Sequence, residues 1–244
     1  MSAAGCTGGN PVIELYTELA TRPERDFGWD KGLGNALSHG YRADWIRVLP
    51  EPAWAYCAAV GNPFELGPFN PGETVLDLGC GAGIDLLVAA LLVGAQGRAI
   101  GIDITPAMVE LAARHAALAG LDNIRVHEAS IEQLPVPDAS VDIVISNGAI
   151  NLAASKERVF SEVFRVLRPG GRLYIADMIR DESCSDAGCG AAGSWADCVA
   201  GTLAVDELLA LMRAAGLAAA RLVAVNHYKT AASTVGATFS AHRE

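Results

Sequence analysis

The chain has 244 residues, enough for one sizeable α/β domain with additions or for two small ones. Apolar residues make up 51% and charged residues 19%, which excludes a disordered chain, and no run of about 18 uncharged apolar residues offers a membrane span. The formal charge is −10 with no basic cluster, so DNA and RNA are poor candidate partners and a small molecule is a better one.

Residues 1–70 read as a mostly helical lead-in, with Trp29, Tyr41, Trp45, Trp54 and Tyr56 set among Gly and Pro breaks, and are expected to form a cap or lid on a domain spanning 71–244. From Thr74 onward, strands alternate with helical stretches. The strand candidates are Thr74–Leu78, Ala99–Asp103, Ile124–Glu128, Val141–Ser146 and Arg172–Asp177, and the helical runs between them include Ile84–Val93, Pro106–Ala119 and Lys156–Val166. Strands spaced by single helices predict an α/β fold, a mostly parallel Rossmann-like sheet with helices on both faces. Thr105-Pro106 is a good helix start, with Pro at the first helical position. Arg168-Pro169-Gly170-Gly171 is expected to turn the chain between a helix and the next strand. Asp181–Ser194, rich in Gly, Ser and Ala, reads as a mobile loop. A helix (Val205–Ala215) and an apolar strand (Arg221–Val225) are expected to close the chain.

The most informative stretch is Val75-Leu76-Asp77-Leu78-Gly79-Cys80-Gly81-Ala82-Gly83. A strand ending in an acid and running into three alternating glycines describes a tight turn whose main-chain N–H groups face a ligand. Asp103 ends the next apolar run, where its carboxylate can accept both hydroxyls of a ribose. The spacing is G-x-G-x-G, which differs from the G-x-G-x-x-G that seats a dinucleotide pyrophosphate and so disfavours a nicotinamide oxidoreductase. Two further clusters fall at strand ends. Ser130-Ile131-Glu132 either brackets an adenine ring or caps a helix, with Glu132 in its first turn. Ser146-Asn147-Gly148-Ala149-Ile150-Asn151-Leu152 either contacts a ligand through its asparagines or is a plain turn.

The six cysteines are Cys6, Cys57, Cys80, Cys184, Cys189 and Cys198. With no export signal at the N-terminus, a cytoplasmic protein with free thiols is expected, and the absence of Cys-x-x-Cys and of paired histidines argues against zinc or another resident metal. Cys80 reads as a small residue packed in the glycine turn and Cys57 as a small buried hydrophobe. The segment Asp26-Phe27-Gly28-Trp29-Asp30-Lys31-Gly32 and the step His39-Gly40-Tyr41 leave two readings open. Trp29, His39 and Tyr41 either read a carbon-based substrate or pin the lead-in to the domain. Asp177 either serves the substrate or caps the turn that follows it.

Glycine turn, strand context and correctly spaced acid together resemble the Rossmann-like methyltransferases that use S-adenosyl-L-methionine. The resemblance implies a cofactor site made of Asp77, Gly79, Cys80, Gly81 and Gly83, of Asp103 and Ile104, of Ile131 and Glu132, and of Ser146 and Asn147. In that family the glycine turn packs against the methionine part of the cofactor and the second acid holds its ribose. Methyl transfer is an in-line displacement, so alignment matters more than an acid–base pair.

Several segments are similar to the bacterial arsenite methyltransferases: Val75–Gly83, Gly101–Met108, Ser146–Leu152, Val159–Asp177, Asp197–Thr202 and the Gly61-Asn62-Pro63 step, together covering about 60 to 225. That similarity implies trivalent arsenic held by soft thiolates and methylated through its lone pair. Cys198 matches a family cysteine, while the cysteine expected before Gly-Asn-Pro is Val60 and a later one falls near Ala232. Cys184 and Cys189 stand in for the missing thiols if their loop folds over the site, with Asn151 shaping the place of delivery. An organic acceptor with incidental thiols, and a non-catalytic sensor of S-adenosylmethionine or metalloid, are the alternatives.

Overall fold

The computed structural model of the chain describes residues 10–181 and 201–244. It opens with four helices, α1 (Pro11–Thr21), α2 (Leu33–Ser38), α3 (Ala43–Val48) and α4 (Glu51–Trp54). Asn10 caps α1, its side chain accepting from Val12 N at 3.0 Å. Tyr41, Trp45 and Trp54 are buried, and the Tyr41 ring meets the other two edge to face at centroid distances of 6.3 and 6.1 Å.

The sheet is built around β1 (Thr74–Leu78), flanked in parallel by β2 (Arg98–Asp103) and β4 (Val141–Asn147). Strand β3 (Ile124–Glu128) lies outside β2, and β5 (Leu167–Arg180) lies outside β4, again in parallel. Two antiparallel strands finish it, β7 (Thr234–Arg243) against β5 and β6 (Leu217–Val225) at the edge, giving the order β3-β2-β1-β4-β5-β7-β6. The sheet is therefore mostly parallel, and the α/β Rossmann-like expectation holds.

Side chains alternate across β1 and feed two cores. Val75 joins Tyr41, Trp54 and helix α5 (Ile84–Val93), so the lead-in and the sheet share one apolar cluster. Helix α5 is apolar on every side because it is covered on every side, by the sheet and by the lead-in. Leu76 and Leu78 join Val159, Phe160, Val163 and Val166, the buried stripe of α7 (Lys156–Val166). Each of these large side chains stabilises the fold by roughly 1.5–3 kcal/mol. Helix α6 (Pro106–Ala119) starts at Pro106 and stops at Gly120, whose φ of +65° ends it. Helix α8 (Val205–Ala214) lays Leu208, Leu209 and Met212 into the Leu76 core.

The last part of the chain differs from expectation. Strand β7 is an inner strand without an apolar run: its buried Val235 and Phe239 are interspersed with Gly, Ala, Ser and Thr. Strand β5 runs well past both predicted ends. The expected Arg168–Gly171 turn survives inside it as a bulge, the pairing stepping from Val141↔Leu167 to Ile143↔Arg172 with Gly170 at φ +79°. Strand β6 begins at Leu217, ahead of the predicted Arg221, with a register shift between Ala218 and Arg221 where Ala219 has φ +47°. Among the described residues no helix is long and apolar enough to cross a membrane.

Candidate active site

The register puts Leu78 beside Ile102 and Ser146, and Ser146 beside Ile175, so β1, β2 and β4 end at one level while β5 runs on past it. A cavity of about 470 Å³ opens there. The glycine turn leaves β1 with the N–H groups of Gly79 and Cys80 both donating to Ile102 O, at 2.8 and 2.9 Å. Gly79 has φ +70°, and a Cβ there would overlap the side chain of Ala149. At Gly81, by contrast, a Cβ would meet nothing within 4 Å, and the backbone faces the cavity.

Asp103 ties the turn to β2. One carboxylate oxygen accepts from Gly81 N at 2.9 Å and the other from Thr105 N at 2.8 Å. Burial raises its pKa, and these N–H bonds oppose the rise. Asp77 on β1 is 2% exposed, and its Oδ2 has no hydrogen-bond partner among the described residues. Burial pushes its carboxyl well above the ordinary range, and the nearby charges of Asp85 and Asp103 push it further. Asp77, Gly79, Cys80, Gly81, Asp103 and Ile104 all line the cavity. So do Ile131, Glu132 and Asn147.

Three expected contacts are placed otherwise. Gly83 does not line the cavity; it begins α5 at φ +95° and lies against Ala112 of α6, 3.1 Å from the position of a Cβ. Ser146 is fully buried, with its hydroxyl donating to Leu78 O at 3.2 Å. Asn151 is buried behind the wall, its amide donating to Asp177 Oδ1 at 2.8 Å and Met178 O at 2.6 Å, and it lines nothing. Asp177 also accepts from Ile150 N and Asn151 N, so it caps the turn after β4. Burial pushes its pKa up to about 6. No helix follows Ser130; its hydroxyl accepts from Glu132 N, and Glu132 in turn accepts from Ala154 N at 2.8 Å.

Asn147 is more heavily engaged than a ligand contact requires. Its Oδ1 accepts from Val60 N at 2.9 Å, and its Nδ2 reaches Gly61 O at 2.9 Å, Asp85 Oδ2 at 3.0 Å and Tyr41 OH at 3.2 Å. The Tyr41 hydroxyl donates to Asp85 Oδ1 at 2.5 Å. Sequence reasoning missed Asp85, although a lone acid in the apolar run of α5 was a usable signal. It also missed the far end of the cavity, where Val60, Leu152, Met178 and Tyr228 meet. Asn226 holds that end together, donating to Val60 O at 2.7 Å and accepting from Tyr228 N at 2.9 Å. His39 packs edge-on against Tyr228 at 5.0 Å, and Trp29 and Tyr41 both line the cavity from the lead-in, Tyr41 being buried and bonded to Asp85.

Cys57 and Cys80 are buried and free, and both line the cavity. Burial first, with neighbouring carboxylates behind it, holds both thiols protonated. Cys184, Cys189 and Cys198 lie outside the described residues. Among the described residues no group of three His, Cys, Asp or Glu side chains could hold a metal ion.

The sequence profile of a methyltransferase domain matches residues 69–216. An arsenite methyltransferase of Halobacterium salinarum is 42% identical over 86% of this chain and 57% of its own length. A 27-O-demethylrifamycin SV methyltransferase of Amycolatopsis mediterranei is 31% identical over 77% of this chain and 68% of its own. Among solved structures, an arsenic(III) S-adenosylmethionine methyltransferase from Chlamydomonas reinhardtii superimposes with a TM-score of 0.64 at 29% identity, covering 81% of this chain and 71% of that one. The chain spans about half the length of the arsenite methyltransferases it matches.

Proposed function

The chain belongs to the methyltransferase-domain family of class I S-adenosylmethionine-dependent enzymes, and we propose that it transfers a methyl group to trivalent arsenic. The cavity that joins the glycine turn, Asp103 and Glu132 carries the methyl-transfer part of this reading. The 42% identity over most of the chain supports the acceptor.

The residues present fit S-adenosylmethionine. Gly81 offers bare backbone to open space, and Asp77 Oδ2 is a buried acceptor lacking a donor. When bound, the cofactor supplies a methyl carbon activated by a sulfonium sulfur. Asp103 would hold its ribose, since each carboxylate oxygen spends one lone pair on a backbone N–H and keeps another. Gly79, Cys80 and Gly81 would lie along the methionine part, and Ile104, Ile131 and Glu132 around the base. Asn147 acts by fixing Val60 and Gly61 over the turn. Residues 1–70 serve as the cap of the domain formed by 71–244, a role supported by Trp29 and Tyr16 lining the cavity.

Trivalent arsenic is held by soft sulfur ligands. The acceptor is assigned to Cys198, which matches a cysteine of the arsenite methyltransferases, with Cys184 and Cys189. The acidic charge and the two free thiols among the described residues support the reading of a cytoplasmic protein acting on a small molecule rather than nucleic acid. The second reading, an organic acceptor, is favoured by the apolar end formed by Val60, Leu152, Met178 and Tyr228 and by the rifamycin-directed relative. Incubating the full chain with labelled S-adenosylmethionine, arsenite and a thiol reductant, and resolving products by mass, decides between them. Methylated arsenic is expected; cofactor binding without an arsenic product would transfer the assignment to an organic acceptor.

A further inference from the structure

The cavity wall carries charge of one sign. Asp77, Asp85, Asp103 and Glu132 line it, and among the described residues no Lys, Arg or His does. Two of these acids come from adjoining elements and are close enough for the charge of Asp85 to act on Asp77. Asp77 stands on β1, and Asp85 in the first turn of α5, which packs on the same face of the sheet. Asp85 is fixed by Tyr41 and Asn147, while the buried Asp77 Oδ2 is left without a partner. A carboxylate pair this deeply buried is costly unless a positive charge or a proton accompanies it.

We propose, building on the cofactor assignment above, that Asp77 and Asp85 make the cavity charge-selective, favouring the cationic sulfonium donor over the thioether product that remains after transfer. Donor and product share every group except the methyl and its charge, so contacts elsewhere bind both equally. Only a wall that senses net charge separates them. Product would then leave more readily than donor, and anionic acceptors would be repelled from the same space.

The groups facing the pair are Asp103 from β2, Cys80 from the glycine turn, Tyr41 and Cys57 from the lead-in, and Glu132 after β3. None of them is basic, so a proton is the only positive charge they leave for the pair when no cation is present. Burial raises both carboxyl pKa values, so the pair holds a proton more tightly than ordinary carboxylates do. A cationic ligand replaces that proton, and its binding tightens as pH rises until both acids are ionised.

The test is calorimetric titration of the full chain with S-adenosylmethionine and with S-adenosylhomocysteine at pH 6, 7 and 8, in buffers of different ionisation heat. The donor is expected to bind roughly tenfold tighter than the product at pH 8, with the ratio shrinking at pH 6 and more protons released by the donor. Asp85→Asn should bring the ratio close to one while product still binds, and Asp77→Asn provides the same comparison should the first variant fold poorly. A ratio independent of pH, with equal proton release by both ligands, would overturn the proposal. Failure of wild-type protein to bind either ligand would instead remove the cofactor assignment beneath it.

Discussion

The two ends of the cavity are made of different material. The end proposed for the donor consists of backbone and carboxylates at strand termini: the Gly79–Gly81 turn, Asp103 locked by two N–H groups, and Asp77. The apolar end, proposed to face the acceptor, consists of side chains drawn from separate segments, Val60 from the lead-in, Met178 from β5 and Tyr228 after β6, laced by Asn226 across 166 positions. A site built on strand ends is held by the sheet, whereas one built on long connections can be exchanged without disturbing the core. That division suits a family whose donor is constant and whose acceptors range from arsenite to a rifamycin.

The comparison breaks if damage at one end spreads to the other. The largest effect is expected at Gly79→Ala, which combines a left-handed backbone with overlap on Ala149. It should cost about 3 kcal/mol of stability and weaken cofactor binding roughly a hundredfold, measured by thermal melting and calorimetry. Near-native affinity would show that the turn tolerates what its geometry forbids.

Asp177, beneath the acceptor end, has a folded pKa near 6 against an unfolded value of about 3.9. The folded state therefore keeps its proton over a wider range. The stabilisation is full below the unfolded value and is lost as pH rises through 6, about 3 kcal/mol at most. Asp77, Asp85 and Asp103 are raised too and act in the same direction. The cofactor-free protein should thus melt higher at pH 5 than at pH 7.5, with saturating cofactor removing the donor-end share and leaving that of Asp177. A melting point that falls steadily on acidification would contradict this.

Asp103→Ala should weaken S-adenosylmethionine binding by roughly 1.5–3 kcal/mol through lost charged hydrogen bonds. Unchanged affinity would defeat its assigned role. The smallest effect is expected at Asn226→Ala, which removes two backbone contacts at about 1 kcal/mol each. Acceptor KM should rise several-fold with cofactor affinity unchanged, and a parallel loss of both would erase the distinction between the two ends.

The cavity lining around the glycine turn was legible because its parts are local. Gly79, Gly81, the preceding acid and Asp103 carry their geometry in a short stretch of chain, and the strand register merely aligns them. The acceptor end was not, since nothing near Tyr228 or Met178 announces that they meet Val60. Asn151 and Ser146 misled for a related reason: a polar residue at a strand end reads as a ligand contact, yet both spend their polar atoms on the fold. Strand β7 escaped notice because its apolar residues, Val235 and Phe239, are separated by Gly, Ala and Thr and form no apolar run.

The most direct test of the account is a paired measurement on Cys198→Ser, arsenite methylation on one arm and S-adenosylmethionine affinity on the other. Arsenic product should disappear while cofactor affinity stays at the wild-type value. Undiminished arsenic methylation would contradict it, because the acceptor would then be held by something other than the thiol assigned to it.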